Sequence, residues 1–543
     1  IQTERRKHMN RNTDSHFGNI PTKTIRRSKF KRPCSHKLTM NTGRIVPIYR
    51  DELLPGDSVR IKVSSLIRMT TPVNPVMDNA WIDLYFFAIP RRLCWEHWKQ
   101  FMGENDTDEW TQTTQYTVPK TTAPDGGWNK GTIADYMGAR IGTSNIWIDS
   151  CYLRAYAIVY NEWFRNQNLT EPVAVSLGDS TTSGSNGNDY TNDVEKGGAP
   201  ALAVKYADYF TRALPEPEKG DPVFVPLGGT APIIGTNTPE SILGTDTNLV
   251  GKPLGLERYD GTTDQERVFT GTNTYLDNQK SIGLAADLTN TTAGATINAL
   301  REAYAIQKLM ETDARGGTRY IENIRSHFGI TSPDARQQRP EYLGGKRIPI
   351  NMTEVVQQSE TGTTPMGDTA GKSLTIDSDD MVHYASTEHQ IILGLAVIRT
   401  EHTYQQGIDR ILRRQNKYDF YFPALSNIGE QPIYESEIFV QGTSDDDDVF
   451  GYQEAWAEYR YANNRISGEL NSDYSLALDS WHYGDDYSAA PSLSDAWVKE
   501  TDANVARTLA VETQDQFICD FYFDQTWVRP MPVYSVPGLT GWH

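Results

Sequence analysis

Gly43 to Met69 reads GRIVPIYRDELLPGDSVRIKVSSLIRM, and its second half decides the fold class. There Val59, Ile61 and Val63 alternate with Arg60, Lys62 and Ser64, the period of two that marks a strand with one buried face. Pro55, Gly56 and Asp57 supply the turn that leads into it. The next segment, WIDLYFFAI from Trp81 to Ile89, is apolar almost throughout and stops at Pro90, which predicts a strand buried on both faces. Further strands are expected at Ile391 to Arg399 and Ile433 to Val440. Helical spacing is brief: Trp95, Trp98 and Met102 share one face, as do Tyr156, Val159, Tyr160 and Trp163, and both stripes read as packing helices. Short strands, few helices, 42 Gly and 28 Pro point to an all-β sandwich or jelly roll enlarged by loops. No repeat at a solenoid or propeller period is present.

Two stretches interrupt this pattern. Residues 178–198 and about 229–295 are rich in Gly, Thr, Asn and Ser and read as surface insertions. The second is too long for an ordinary connection inside a compact domain, so it is expected to be a functional excursion or a mobile loop. A helix of roughly Thr296 to Ala314 closes it, with Ala299, Ala303, Ile306 and Met310 on one stripe. The expected organisation is a basic arm over residues 1–40, then a single domain over 41–543 carrying both insertions.

The chain of 543 residues has a formal net charge of −18, but the charge is segregated. Residues 1–40 hold eleven Lys and Arg against Glu4 and Asp14, a local charge of +9 that leaves −27 on the rest. A basic arm on an acidic body is expected to meet a polyanion, and we single out Arg5, Arg6, Lys7, Arg11, Lys23, Arg26, Arg27, Lys29, Lys31 and Arg32 as nucleic-acid contacts. Phe17 and Phe30 join them because bases stack on exposed aromatic rings. The competing reading is a solvated tail. Contacts of this kind are salt-sensitive and blind to base sequence.

Catalytic signatures are sparse. The run Gly367 to Ser373 has one residue too few for a phosphate loop, and neither GxGxxG nor GxSxG occurs. His383 and His389 lack the HExxH spacing of zinc hydrolases, and no cofactor or metal is expected. Asp445 to Asp448 would suit a hard cation, but without the Gly and Glu of an EF-hand the run reads as a solvated acidic loop. Four scattered cysteines without CxxC argue against zinc and against a disulfide framework, so a reducing site of folding is expected. The longest apolar run, Ile391 to Ile398, is far too short to cross a bilayer, so no membrane insertion is expected, and IQTERRKHMNR is not a secretory signal. Paired carboxylates for glycoside hydrolysis are defined by separation in space, and 12 Trp suit a glycan groove. A glycan-binding or glycan-hydrolysing β-sandwich is therefore the alternative function.

Several ordered segments carry a family resemblance. They include HFGNIP (His16 to Pro21), IVPIYRDELLPGD (Ile45 to Asp57), TPVNPVMDNAWIDLYFFAIPRRLCWEHWKQFMGE (Thr71 to Glu104) and RAYAIVYNEWFRNQNL (Arg154 to Leu169). The most specific is SHFGITSPDARQQRPEYLGG (Ser326 to Gly345), followed by TYQQGIDR (Thr403 to Arg410) and DFYFPALSNIGEQPIY (Asp419 to Tyr434). VFGYQEAWAEYRY (Val449 to Tyr461), DSWHY (Asp479 to Tyr483) and RPMPVYSVPG (Arg529 to Gly538) complete the series. Together they resemble the major capsid proteins of the Microviridae, in particular the gokushovirus branch of these bacteriophages. The resemblance implies an eight-stranded viral jelly-roll β-barrel or sandwich with very long loop insertions and a few short helices. It implies a non-enzymatic structural protein of the virion, a homo-oligomer assembled in the host cytoplasm as a T=1 icosahedral capsid around circular single-stranded DNA. Implied partners are a small basic DNA-binding protein, an internal scaffolding protein and a pilot protein. The excursion at 229–295 would be a three-fold protrusion that meets the host cell surface, with the basic arm inside.

Overall fold

The computed structural model describes residues 25–105, 110, 114–221, 223, 296–359, 362, 366–367, 369–511 and 513–535, and the backbone of four short strands between 233 and 286. Its frame consists of β1 (Ser28–Lys31), β2 (Cys34–Met40), β3 (Val46–Leu53), β4 (Ser58–Met69), β5 (Ala80–Pro90), β6 (Glu341–Pro349), β7 (Thr375–Ala385), β8 (Gln390–Thr400) and β9 (Phe517–Arg529). One antiparallel sheet runs β2-β9-β4-β7, with β1 also paired to β9, and the other runs β3-β8-β5-β6. From β2 to β9 the chain changes sheet at every step except β5 to β6. This is the strand order of an eight-stranded jelly roll.

Alternation places the core. Along β4, Val59, Ile61, Val63, Ile67 and Met69 are buried while Arg60, Lys62, Leu66 and Arg68 are exposed. β9 matches it with Phe517, Cys519, Phe521, Phe523 and Trp527 inward. These side chains meet Ile82, Leu84 and Phe86 of β5 and Ile392, Ala396 and Ile398 of β8 in the space between the sheets. Burying each such side chain contributes ~1.5–3 kcal/mol. The turn before β4 is held by Asp57, whose carboxylate accepts the Leu54 N–H at 2.9 Å, with Gly56 at φ +88° in the left-handed region that favours glycine.

β5 and β8 are buried on both sides, as WIDLYFFAI predicts. Their second faces, Phe87, Ile89, Ile391, Leu393, Leu395 and Val397, pack against helix α1 (Ser150–Val159) through Leu153, Tyr156 and Ala157. Asp149 caps that helix by accepting the Cys151 N–H at 2.9 Å. The polar stretch 178–198 is anchored in the same cluster by Val194, and Thr182–Ser183 pairs with Lys120–Thr122. A third cluster gathers Phe210, Ile433, Phe450 and Trp497. The strand expected at 433–440 is instead Glu430–Tyr434, because the buried Glu437 accepts the Tyr434 N–H at 3.2 Å and closes a 3-10 turn over Glu435–Glu437. Among the packing helices expected near Trp95, only Trp98–Phe101 and Arg91–Cys94 form, each a single turn.

Two compact units are present, one of residues 1–217 and 314–543 and one of residues 218–313. In the second, Leu254–Glu257 pairs with Arg267–Thr270 and Ile233–Thr236 with Gly283–Ala286. The excursion expected at 229–295 falls in this unit and otherwise lies outside the described residues. The helix expected at 296–314 is α2 (Ile297–Gly316).

Candidate assembly surfaces and nucleic-acid face

Of the arm residues singled out from sequence, Arg5, Arg6, Lys7, Arg11, Phe17 and Lys23 lie outside the described residues. Residues 28–40, counted with the arm, are the strands β1 and β2. Register pairs Lys29 with Val528, Phe30 with Trp527 and Lys31 with Thr526. Alternation then turns Lys29 and Lys31 to solvent and packs the Phe30 ring on the core between the sheets. Arg26 and Arg27 are exposed just before β1. Arg32 is engaged within the chain: it pairs with Asp51 at 2.8 Å and its guanidinium lies 5.3 Å from the Trp527 ring centre. Lys29 and Lys31 make no ion pair among the described residues.

The molecule leaves many large apolar side chains in water. Between 408 and 428 the chain has only 3-10 turns, and Leu412 (75%), Tyr418 (74%), Phe420 and Tyr421 are exposed. The segment is nonetheless fixed from below. Arg414, itself buried, pairs with Glu458 at 2.8 Å and lies 4.6 Å from the Tyr459 ring centre, and Arg413 pairs with Asp447 at 3.1 Å. Tyr421 meets Trp456 edge to face at 5.7 Å. Rings held in place without being covered lose little freedom when a partner covers them, the condition that favours association. Tyr320, Phe328 and Ile330 are likewise exposed on and after helix α3 (Tyr320–Phe328).

The acid-base clusters that a catalytic reading would need are closed to substrate. His402 is nearly wholly buried with Nδ1 2.8 Å from Asp485 and Nε2 2.9 Å from Glu500. Burial opposes its charge, but the two carboxylates outweigh burial and push its pKa up to about 9, so both ring N–H groups donate. Asp83, equally buried, accepts from Arg347 Nε at 2.8 Å, from the Tyr206 hydroxyl at 2.8 Å and from Arg399. Burial alone would raise its pKa; the two guanidiniums hold it below the usual carboxylate range. Burial pushes the Cys94 and Cys519 thiols up to about 12, which leaves them inert. Asp446 is spent on its own turn, accepting from the Gln441 and Gly442 N–H groups. Among the described residues no group of His, Cys, Asp and Glu could hold a metal ion, and no helix is long and apolar enough to cross a membrane.

Large apolar side chains held in place without cover describe a surface built for a partner, and sequence comparison decides which kind. Residues 18–539 match the family described as capsid protein (F protein). The chain belongs to this family of phage capsid proteins. It is 41% identical to capsid protein VP1 of Spiroplasma virus 4, over 95% of this chain and 96% of that one. It is 38% identical to capsid protein VP1 of Bdellovibrio phage phiMH2K (98% and 99% covered) and 34% identical to that of Chlamydia phage 1 (96% and 97%). As a member of the capsid family the chain is a structural protein of the virion that associates with its own copies into a shell, and it is not an enzyme. The glycan-acting alternative falls with that assignment. Sequence reasoning found the family but missed the exposed apolar side chains at 412–421, for which the dense run DFYF at Asp419 to Phe422 was the available signal.

Proposed function

We propose that this capsid protein forms a T=1 icosahedral shell around a circular single-stranded DNA genome, with the arm of residues 1–27 on the inside. The observation that supports it most is the placement of charge. A strongly basic arm enters the sheet at β1, where Lys29 and Lys31 point away from the core. A polyanion inside the shell neutralises those charges, whereas the acidic remainder of the chain repels it. In this reading a small basic DNA-binding protein shares the neutralisation, an internal scaffolding protein and a pilot protein assist assembly and delivery, and the excursion at 229–295 protrudes and meets the host cell surface.

The test is nuclease protection in purified particles. Circular single-stranded DNA recovered after nuclease treatment supports the reading. Particles that protect double-stranded DNA or RNA instead, or protect none when produced during infection, contradict it. Shortening 229–295 should spare the particles and reduce adsorption to host cells; loss of particles would make that excursion an assembly element.

A further inference from the structure

The outward face of the sheet β1-β2-β9-β4-β7 carries a charge opposite to that of the chain. Six cations point away from the core, Lys29 and Lys31 on β1, Lys37 on β2, and Arg60, Lys62 and Arg68 on β4. Three carboxylates share the face, Asp380, Asp520 and Asp524, with His383 beside Asp380. Two of the cations are partly neutralised: Lys37 lies 3.4 Å from Asp520, and Arg60 pairs with Asp380. Lys29, Lys31, Lys62 and Arg68 make no ion pair among the described residues. The chain as a whole has a net charge of −18, opposite in sign to this face.

The same face holds an aromatic platform. Tyr522 on β9 is 46% exposed, and register places Ser35 on one side of it and Ser64, then Ser378, on the other. Its cross-strand neighbours are short, so no taller side chain flanks the ring in that row. Toward the end of β2 the face deepens into an open groove of about 550 Å³, where Lys37, Arg68 and Lys130 are balanced by Asp135, Asp515 and Asp520, with Lys130 3.4 Å from Asp515. That volume is within the range of small-ligand sites, ~300–1,000 Å³. β1, which receives the basic arm, forms an edge of this sheet.

We propose that this sheet face is a track for single-stranded nucleic acid: phosphates run along Lys29, Lys31, Lys62 and Arg68, and one base stacks on Tyr522. A basic surface combined with a stacking ring is the arrangement by which single strands are held without sequence preference. An acidic polypeptide would satisfy the cations but has no use for a bare ring. The inference rests on the reading that the shell encloses single-stranded DNA, and it assigns that contact to residues beyond the arm.

The experiment measures binding of a fluorescent oligo-dT strand to the full-length unassembled chain over a salt series. The parent should bind with log K falling linearly in log salt. Lys62→Gln with Arg68→Gln should flatten that slope by about 1.4, at ~0.7 per lost phosphate contact. Tyr522→Leu should weaken binding about 5- to 150-fold at fixed salt while Tyr522→Phe retains it. Arg140→Gln with Lys372→Gln, exposed cations elsewhere, should change neither. If the parent binds with a steep salt slope and the face variants match it, the face is overturned and the arm carries the contact. If the parent does not bind at any salt concentration, both this proposal and the reading beneath it fail. Equal binding of poly-glutamate that is indifferent to Tyr522 would make the partner an acidic protein instead.

Discussion

Nδ1 of His402 lies 2.8 Å from the Asp485 carboxylate, across 83 residues of sequence, in a buried site. Glu500 holds the other ring nitrogen at 2.9 Å, the Asn504 side chain donates to Asp485 at 2.9 Å, and Lys205 is 4.0 Å from Asp485. The cluster ties β8, where Thr400 also bonds Glu500, to the segment before β9. A buried imidazolium with two partners is costly to break from one side, so His402→Gln should cost ~3–5 kcal/mol of stability.

The pH dependence follows from the sign of the shift. The pKa of His402 rises from 6.5 in the unfolded chain to about 9 in the fold, so the fold binds its proton more tightly. That contribution to stability is complete below about pH 6.5 and is lost as pH rises through about 9. Urea midpoints measured from pH 6 to pH 9.5 should fall for the parent chain and fall less for His402→Gln. Parallel curves would remove the cluster from the account.

Asp83 offers a second test on β5, the neighbour of β8. Removing its carboxylate by Asp83→Leu leaves Arg399, whose side chain is only 12% exposed, without its main partner, although the half-exposed Arg347 can turn to solvent. We expect a loss of ~3–5 kcal/mol by urea denaturation, and a smaller loss for Asp83→Asn, whose single carbonyl oxygen can still accept from one of the two guanidiniums.

Strand periodicity made three of the nine frame strands readable. Val59, Ile61 and Val63 announce β4, and the apolar run at Trp81 to Ile89 announces a strand covered on both sides. β9 repeats the same alternation through Phe517, Cys519, Phe521 and Phe523, a signal that the sequence reading passed over. Contacts between distant residues carry no such period. Asp83 and Arg399 are 316 residues apart and meet only because β5 and β8 pair with Asp83 opposite Val397. Lys31 and Arg32 look equivalent in the sequence, yet strand direction exposes one while the ion pair with Asp51 occupies the other.

The exposed rings at 412–421 should matter to assembly and not to folding. Leu412→Ser with Tyr418→Ser removes two large apolar side chains that touch mainly solvent, so thermal unfolding of the unassembled chain should move by no more than ~0.5 kcal/mol. If these side chains are anchors between copies, the concentration needed for assembly should rise at least about 30-fold, the equivalent of ~2 kcal/mol. Light scattering against concentration measures it.

Truncation separates arm from sheet. Deleting residues 1–27 takes away most of the basic arm and stops short of β1, so folding should be retained while nucleic-acid retention and its salt dependence drop. Deleting residues 1–40 also removes β1 and β2 and uncovers Phe521, Phe523 and Trp527, and that product should be insoluble or unfolded. Retention unchanged by the shorter deletion at every salt concentration would show that the arm does not touch the genome.

The mass of the purified particle bears most directly on the claim that these copies close on one another. Charge-detection mass spectrometry of empty shells should give about 3.7 MDa, sixty copies of a 61.1 kDa chain. Protein that stays near 61.1 kDa as its concentration is raised, with or without scaffolding protein, would contradict the account.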